Sequence, residues 1–197
     1  MTTKLEHLSI PYDIFASPSA SVLLPIALGT AVGFSTRPKT TQDTYMAMRQ
    51  PPLRPPPQVF GPVWTLLYGM MGYAAHRAVT AYPAASSLHS PSATAVSVAT
   101  IQALYTAQLG LNLAWMPLFF GVRKPVLALI DIVSLVGLNG YLTWSFFQID
   151  NVAGWCMVPY MAWLSFATYL NAGVGYMNDW DISESTLATR KALGKTE

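Results

Sequence analysis

Five apolar runs, each long enough to cross a bilayer and almost free of charge, restrict what this chain can fold into. They cover 15–35, 59–82, 93–121, 125–147 and 152–177. A spanning helix needs about 20 mostly apolar residues. Inside hydrocarbon the backbone must satisfy its own hydrogen bonds, which favours helices. The expectation is an all-α membrane protein, a five-transmembrane-helix bundle with a long proline-rich loop between helices 1 and 2. Composition supports it: 10% of residues are charged, against about 25% in soluble domains. The divisions are a 1–14 N-terminal segment, a 15–178 five-helix domain and a 179–197 polar tail. Residues 1–14 mix charge, apolarity and Pro11, unlike a signal peptide.

The first run is the weakest, because Ser17, Ser19, Ser21, Pro18 and Pro25 interrupt it. Gly29 and Gly33 stand at the GxxxG spacing that admits a close helix neighbour. The short turn 121–124 predicts antiparallel third and fourth helices. A polar connection of roughly twenty residues joins the first two runs, a length that is usually functional or disordered. It ends in QPPLRPPP, where Pro51, Pro52, Pro55, Pro56 and Pro57 surround Leu53. Proline supplies no backbone donor and holds the chain extended. This stiff segment reads as a lid over a ligand.

Charge placement orients the bundle. Lys4 and Arg77 fall on the N-terminal side, while Arg37, Lys39, Arg49, Arg54, Arg123, Lys124, Arg190, Lys191 and Lys195 fall on the other. The positive-inside rule then puts the lid and the C-terminus in the cytosol. A net charge of +2 gives no reason to expect nucleic acid. Cys156 is the one cysteine, so no intrachain disulfide forms. His7, His76 and His89 lack metal spacing and are expected to be solvated. No hydrolase or phosphate-cradling motif is present, so neither catalytic nor metal-ligating residues are assigned and no cofactor is expected.

Polar groups within the runs carry more information. At about 1.5 Å per residue, Trp64, Asn112, Trp115, Asp131 and Asn171 lie roughly 8–13 Å below the lid side, on four different helices. Gln108, Asn112 and Trp115 share one helical face. So do Trp163, Phe166, Ala167, Leu170 and Asn171, and so do Phe60, Trp64, Tyr68 and Met71. Aromatic stripes ordinarily report helix packing, and interfacial tryptophans such as Trp155 and Trp180 form a belt. Trp64 and Trp115 lie deeper, beside amides, which suits an apolar pocket with a polar end. Asp131 is either a functional intramembrane carboxylate or a partner of Arg123, Lys124 or a loop amide.

Four ordered motifs carry a resemblance: PP-x-VFGPVWTLLY-x-x-MGYA, LYTAQLGLNLAWMPLFFG-x-R, ALIDI and PYMAWLSFATYLN. Over about Leu28 to Asn178 the chain resembles the translocator protein, or tryptophan-rich sensory protein, family (TspO/MBR). The resemblance implies a five-helix bundle whose cavity is closed by the first loop. It implies binding of porphyrins, sterols such as cholesterol, and synthetic ligands of the benzodiazepine and isoquinoline carboxamide type. The implied cavity lining is Trp64, Asn112, Trp115, Trp163, Ala167, Leu170 and Phe166, with Asp131 at a family position. Animal members imply the mitochondrial outer membrane, bacterial ones the bacterial outer membrane; endoplasmic reticulum is the further possibility. Ala103 and Ala107 occupy third-helix positions associated with a homodimer.

Three positions depart from the family: Leu53 and Leu127 replace tryptophans, and Ala172 replaces a tyrosine of the animal cholesterol motif. The expected function is therefore a non-enzymatic membrane binding protein for porphyrin or sterol, acting in sensing, sequestration or transport. The alternatives are an enzyme degrading porphyrin through pocket tryptophans and a proton-coupled transporter using Asp131.

Overall fold

In a computed structural model of the chain, residues 9–36, 38–88 and 97–193 are described. Among them the regular structure is helical: α1 (Tyr12–Ala16), α2 (Pro18–Ser35), α3 (Pro38–Ala47), α4 (Phe60–Leu88), α5 (Val98–Met116), α6 (Pro125–Ile149), α7 (Asn151–Met177) and α8 (Glu184–Leu193). A 3-10 turn, Pro57–Val59, leads into α4, and a π turn, Pro117–Gly121, ends α5. His7, His89 and Lys195 lie outside the described residues.

The expected first run is broken at Ser17, which adopts an extended backbone and caps α2 through its side chain. Pro18 follows at the first helical position, where its missing N–H costs nothing. Upstream, α1 turns Phe15 inward, edge-on to Tyr105 with ring centroids 5.3 Å apart. His76 is not simply solvated, because its Nδ1 lies 2.7 Å from the Phe15 carbonyl oxygen and ties α1 to α4. A second correction concerns the polar connection, which holds the ten-residue helix α3. The tail likewise forms α8 and buries Ile182 and Leu187 in a small cluster with Met48, Phe119 and Val174.

Close helix contacts explain the glycines, though not as the GxxxG spacing implied. A Cβ on Gly29 would stand 2.1 Å from the Tyr68 ring, and one on Gly72 would stand 2.2 Å from the Ser21 carbonyl oxygen. Ser21 Oγ donates to the Gly72 carbonyl at 2.7 Å. The α2–α4 contact therefore uses Gly29 and Gly72, while Gly33 faces open space.

Hydrogen bonds define the two ends of the bundle. At one end Asp150 is the single residue between α6 and α7. It accepts from the Ala153 amide at 2.9 Å and from Arg77 Nη2 at 2.6 Å. Burial works against the Asp150 carboxylate, but the Arg77 and amide bonds outweigh it and hold the carboxyl below its usual range. At the other end the first connection, the α5–α6 turn and the tail meet. Arg49 and Asn178 exchange two bonds, and Arg123 Nη1 lies 3.4 Å from Glu184 Oε2.

Among the described residues, α2 and α6 are the helices long and apolar enough to cross a membrane on composition. Helices α4 and α7, at 29 and 27 residues, and α5, at 19, are also of spanning length. They carry the amides and hydroxyls of the interior, which lowers their apolarity.

Candidate functional site

The interior is built where α4, α5 and α7 face one another. On α5, the three- and four-residue spacing of Tyr105, Gln108 and Asn112 puts all three on the buried face. On α7, Tyr160, Leu164 and Asn171 follow the same logic. On α4, Leu67, Tyr68 and Met71 are buried, and Trp64 lies half-buried one turn above Tyr68.

These side chains form a connected polar chain. Tyr68 OH donates to Asn112 Oδ1 at 2.6 Å, Asn112 Nδ2 donates to Tyr160 OH at 2.8 Å, and Tyr160 OH donates to Gln108 Oε1 at 3.2 Å. Three helices are thereby joined through groups that hydrocarbon would leave unsatisfied. A second polar link lies nearer the lid: Trp115 Nε1 donates to Asn171 Oδ1 at 3.0 Å, and Asn171 Nδ2 donates to the Pro125 carbonyl at 3.0 Å.

Aromatic rings form a series beside these links. Trp64 lies 5.5 Å from Tyr68 and 6.3 Å from Tyr160 by ring centroids. Phe60, Trp163, Phe166 and Tyr169 continue toward the lid at 5.9, 5.7 and 6.2 Å from one ring to the next. Among the described residues, Trp163 Nε1 and Gln108 Nε2 are buried donors without a hydrogen-bond partner, and Tyr105 OH is likewise unpartnered. Leaving such a group unsatisfied costs about 1–3 kcal/mol.

The proline segment is fastened to α7. The Pro51 ring occupies the place a Cβ on Gly173 would take, 2.7 Å away. Tyr169 OH donates to the Pro52 carbonyl at 3.1 Å and Tyr45 OH to the Pro55 carbonyl at 2.8 Å. Gln50 Nε2 reaches the Tyr45 carbonyl. Burial raises the Tyr45 phenol against the opposing pull of Arg54, so it stays a neutral donor. Leu53 stands 83% exposed with a left-handed backbone, φ 66°, and its side chain is turned away from the interior.

The structure thus joins Tyr68 to Asn112 and Trp115 to Asn171, and it sets Trp64, Trp163 and Phe166 in one aromatic series. Ala167 packs against the main core and Leu170 is buried. Asp131 is buried on α6, but Arg123 pairs with Glu184 instead, and among the described residues Asp131 Oδ2 has no hydrogen-bond partner. Tyr160 was the linking residue that sequence reasoning did not single out. Its signal was available: it precedes Leu164, Ala167 and Asn171 at four, seven and eleven residues.

Fold and interior together define a helical membrane protein with a polar and aromatic centre under a fastened proline segment. The chain belongs to the TspO/MBR family, whose sequence profile matches residues 21–177. It is 39% identical over 175 residues to the translocator protein homolog of Schizosaccharomyces pombe, covering 87% of this chain and 100% of that protein. Identity to the human translocator protein is 35% over 154 residues, covering 78% and 86%. With the tryptophan-rich sensory protein of Cereibacter sphaeroides it is 33% over 143 residues, covering 73% and 81%.

Proposed function

We propose that this protein is a five-span, non-catalytic binder of flat, largely apolar molecules with a polar edge, namely porphyrins or sterols such as cholesterol. The ligand is held between α4, α5 and α7 beneath the 51–57 segment, for sensing, sequestration or transfer. The observation that carries the reading is the buried, unpartnered Trp163 Nε1 within the Phe60–Trp163–Phe166 aromatic series. An indole N–H can only donate. A carboxylate, carbonyl or hydroxyl on an apolar ring system would relieve it. Leu53, exposed and lacking an aromatic ring, favours holding over chemistry.

In this reading the lid end and the C-terminus are cytosolic, the membrane is the mitochondrial outer membrane, and copies pair through α5. Arg49, Arg54, Arg123 and Lys124 gather at the lid end, which supports the orientation. The exposure of Ala107 and Gly110 on α5 supports the pairing.

Purified protein titrated with protoporphyrin should shift the porphyrin absorbance band as binding saturates. Replacing Trp64, Trp115 and Trp163 together with phenylalanine should weaken the affinity at least about tenfold, a loss of about 1.4 kcal/mol. An unchanged affinity would remove the site assignment. Consumption of porphyrin under illumination, lost in the same variant, would assign turnover in place of storage.

A further inference from the structure

A separate cleft of about 760 Å³ opens where the end of α2, the α5–α6 turn and the start of α8 meet. Its place in the membrane follows from the helices that frame it. Ser35 is the last residue of α2, and Lys124 immediately precedes α6. These are the two helices whose composition fits a bilayer, so the cleft lies where both leave the hydrocarbon. Phospholipid headgroups occupy that level.

Among the described residues of the lining, cations and carboxylates are equal in number. Arg123 and Lys124 supply two cations, and Asp181 and Glu184 supply two carboxylates. Asp181 is engaged at the start of α8, accepting from the Ser183 amide at 2.9 Å and from Thr186 Oγ1 at 2.6 Å. Glu184 is the carboxylate able to turn to a ligand. Its side chain is 89% exposed, while that of Arg123 is 18% exposed, and their 3.4 Å contact is of the weak, exchangeable kind. Arg123 and Trp180 both hold left-handed backbones, φ 54° and 58°, at the rim of this one cleft. Strain of that sort persists where surrounding structure enforces it and clusters at binding sites. The Trp180 ring lies over Gly175, where a Cβ would stand 2.2 Å away, yet the residue stays 41% exposed. Tryptophan favours the headgroup level, and its ring face attracts ammonium groups.

We propose that this cleft binds the headgroup of a zwitterionic glycerophospholipid. The phosphate sits against Arg123 and Lys124, and the ammonium sits against Glu184 and the Trp180 ring. Thr40 offers a hydroxyl donor to the phosphate oxygens. An anionic lipid brings the same phosphate without the ammonium, and so leaves Glu184 with no ammonium to face.

The test uses the full chain, purified in detergent and stripped of lipid, with lipid retention read by native mass spectrometry. Palmitoyl-oleoyl phosphatidylcholine should be kept as one molecule per chain, at least about tenfold more strongly than the phosphatidylglycerol of the same chains. The double variant R123Q/K124Q should lose that retention. Glu184→Gln should move the preference toward phosphatidylglycerol, a change of sign that misfolding does not produce. Equal or stronger retention of phosphatidylglycerol by the parent protein overturns the proposal, as does an unmoved preference in Glu184→Gln. Displacement by soluble glycerophosphocholine at matching concentration assigns the cleft to free phosphodiesters and overturns the membrane-lipid source.

Discussion

The Tyr68–Asn112 bond allows a quantitative check of the interior. Asn112 bridges two buried hydroxyls, accepting from Tyr68 at 2.6 Å and donating to Tyr160 at 2.8 Å. Values from soluble proteins assign about 1–3 kcal/mol to a buried group left unsatisfied. Interhelical bonds measured within membranes average only about 0.6 kcal/mol, with a ceiling near 1.7, because the unfolded chain in the bilayer also finds partners. The membrane figure governs here, and the short geometry places this bond in its upper half. Asn112→Leu and Tyr68→Phe should each destabilise by about 1–1.7 kcal/mol. The double variant should lose less than the sum, with a coupling of about 1 kcal/mol. The assay is reversible unfolding in mixed detergent and dodecyl sulfate micelles, followed by far-ultraviolet dichroism. Additivity to within about 0.3 kcal/mol would show that the two side chains do not interact, and the polar chain would fail as a description of the interior.

Gly29→Ala should push the Tyr68 ring off its seat, since the new Cβ would stand 2.1 Å from it. The expected cost is about 1–3 kcal/mol, read in the same micelle titration. Gly173→Ala should lift Pro51 from α7, because the Cβ would stand 2.7 Å from the proline ring. Protoporphyrin should then dissociate about tenfold faster in stopped-flow displacement with little change in helix content. Asp150 has its carboxyl pKa lowered from 3.8, so it binds its proton less readily folded than unfolded. Its contribution is complete above pH 3.8 and is lost as the pH falls through the lower native value. Asp150→Asn should be less stable than the parent at neutral pH and should flatten the acid limb of a stability–pH curve.

Legibility in the sequence tracked the physics of each feature. Gln108 and Asn112, and Trp163 and Ala167, announced their faces because an α-helix repeats every 3.6 residues and their spacings match it. Glycine spacing misled at Gly33, because a close approach requires a partner backbone or ring, and that partner belongs to another helix. His76 read as solvated for the same reason, since the Phe15 carbonyl reaches it only after α1 folds back. Asp131 seemed able to pair with Arg123 by proximity in the chain, but the left-handed backbone at Arg123 sends that side chain to Glu184 on the tail.

Hydrophobic runs, prolines and helical periodicity are local properties, and they suffice to specify an all-helical membrane chain with a stiff segment ahead of α4. Which amide meets which hydroxyl is not local. Tyr68, Asn112 and Tyr160 are separated by 44 and 48 residues, and their bonds exist because three helices pack with particular rotations. The same holds for Pro51 on Gly173 and for the cleft assembled from α2, the α5–α6 turn and α8. Burial in hydrocarbon makes a polar partner necessary, and tertiary packing selects the partner.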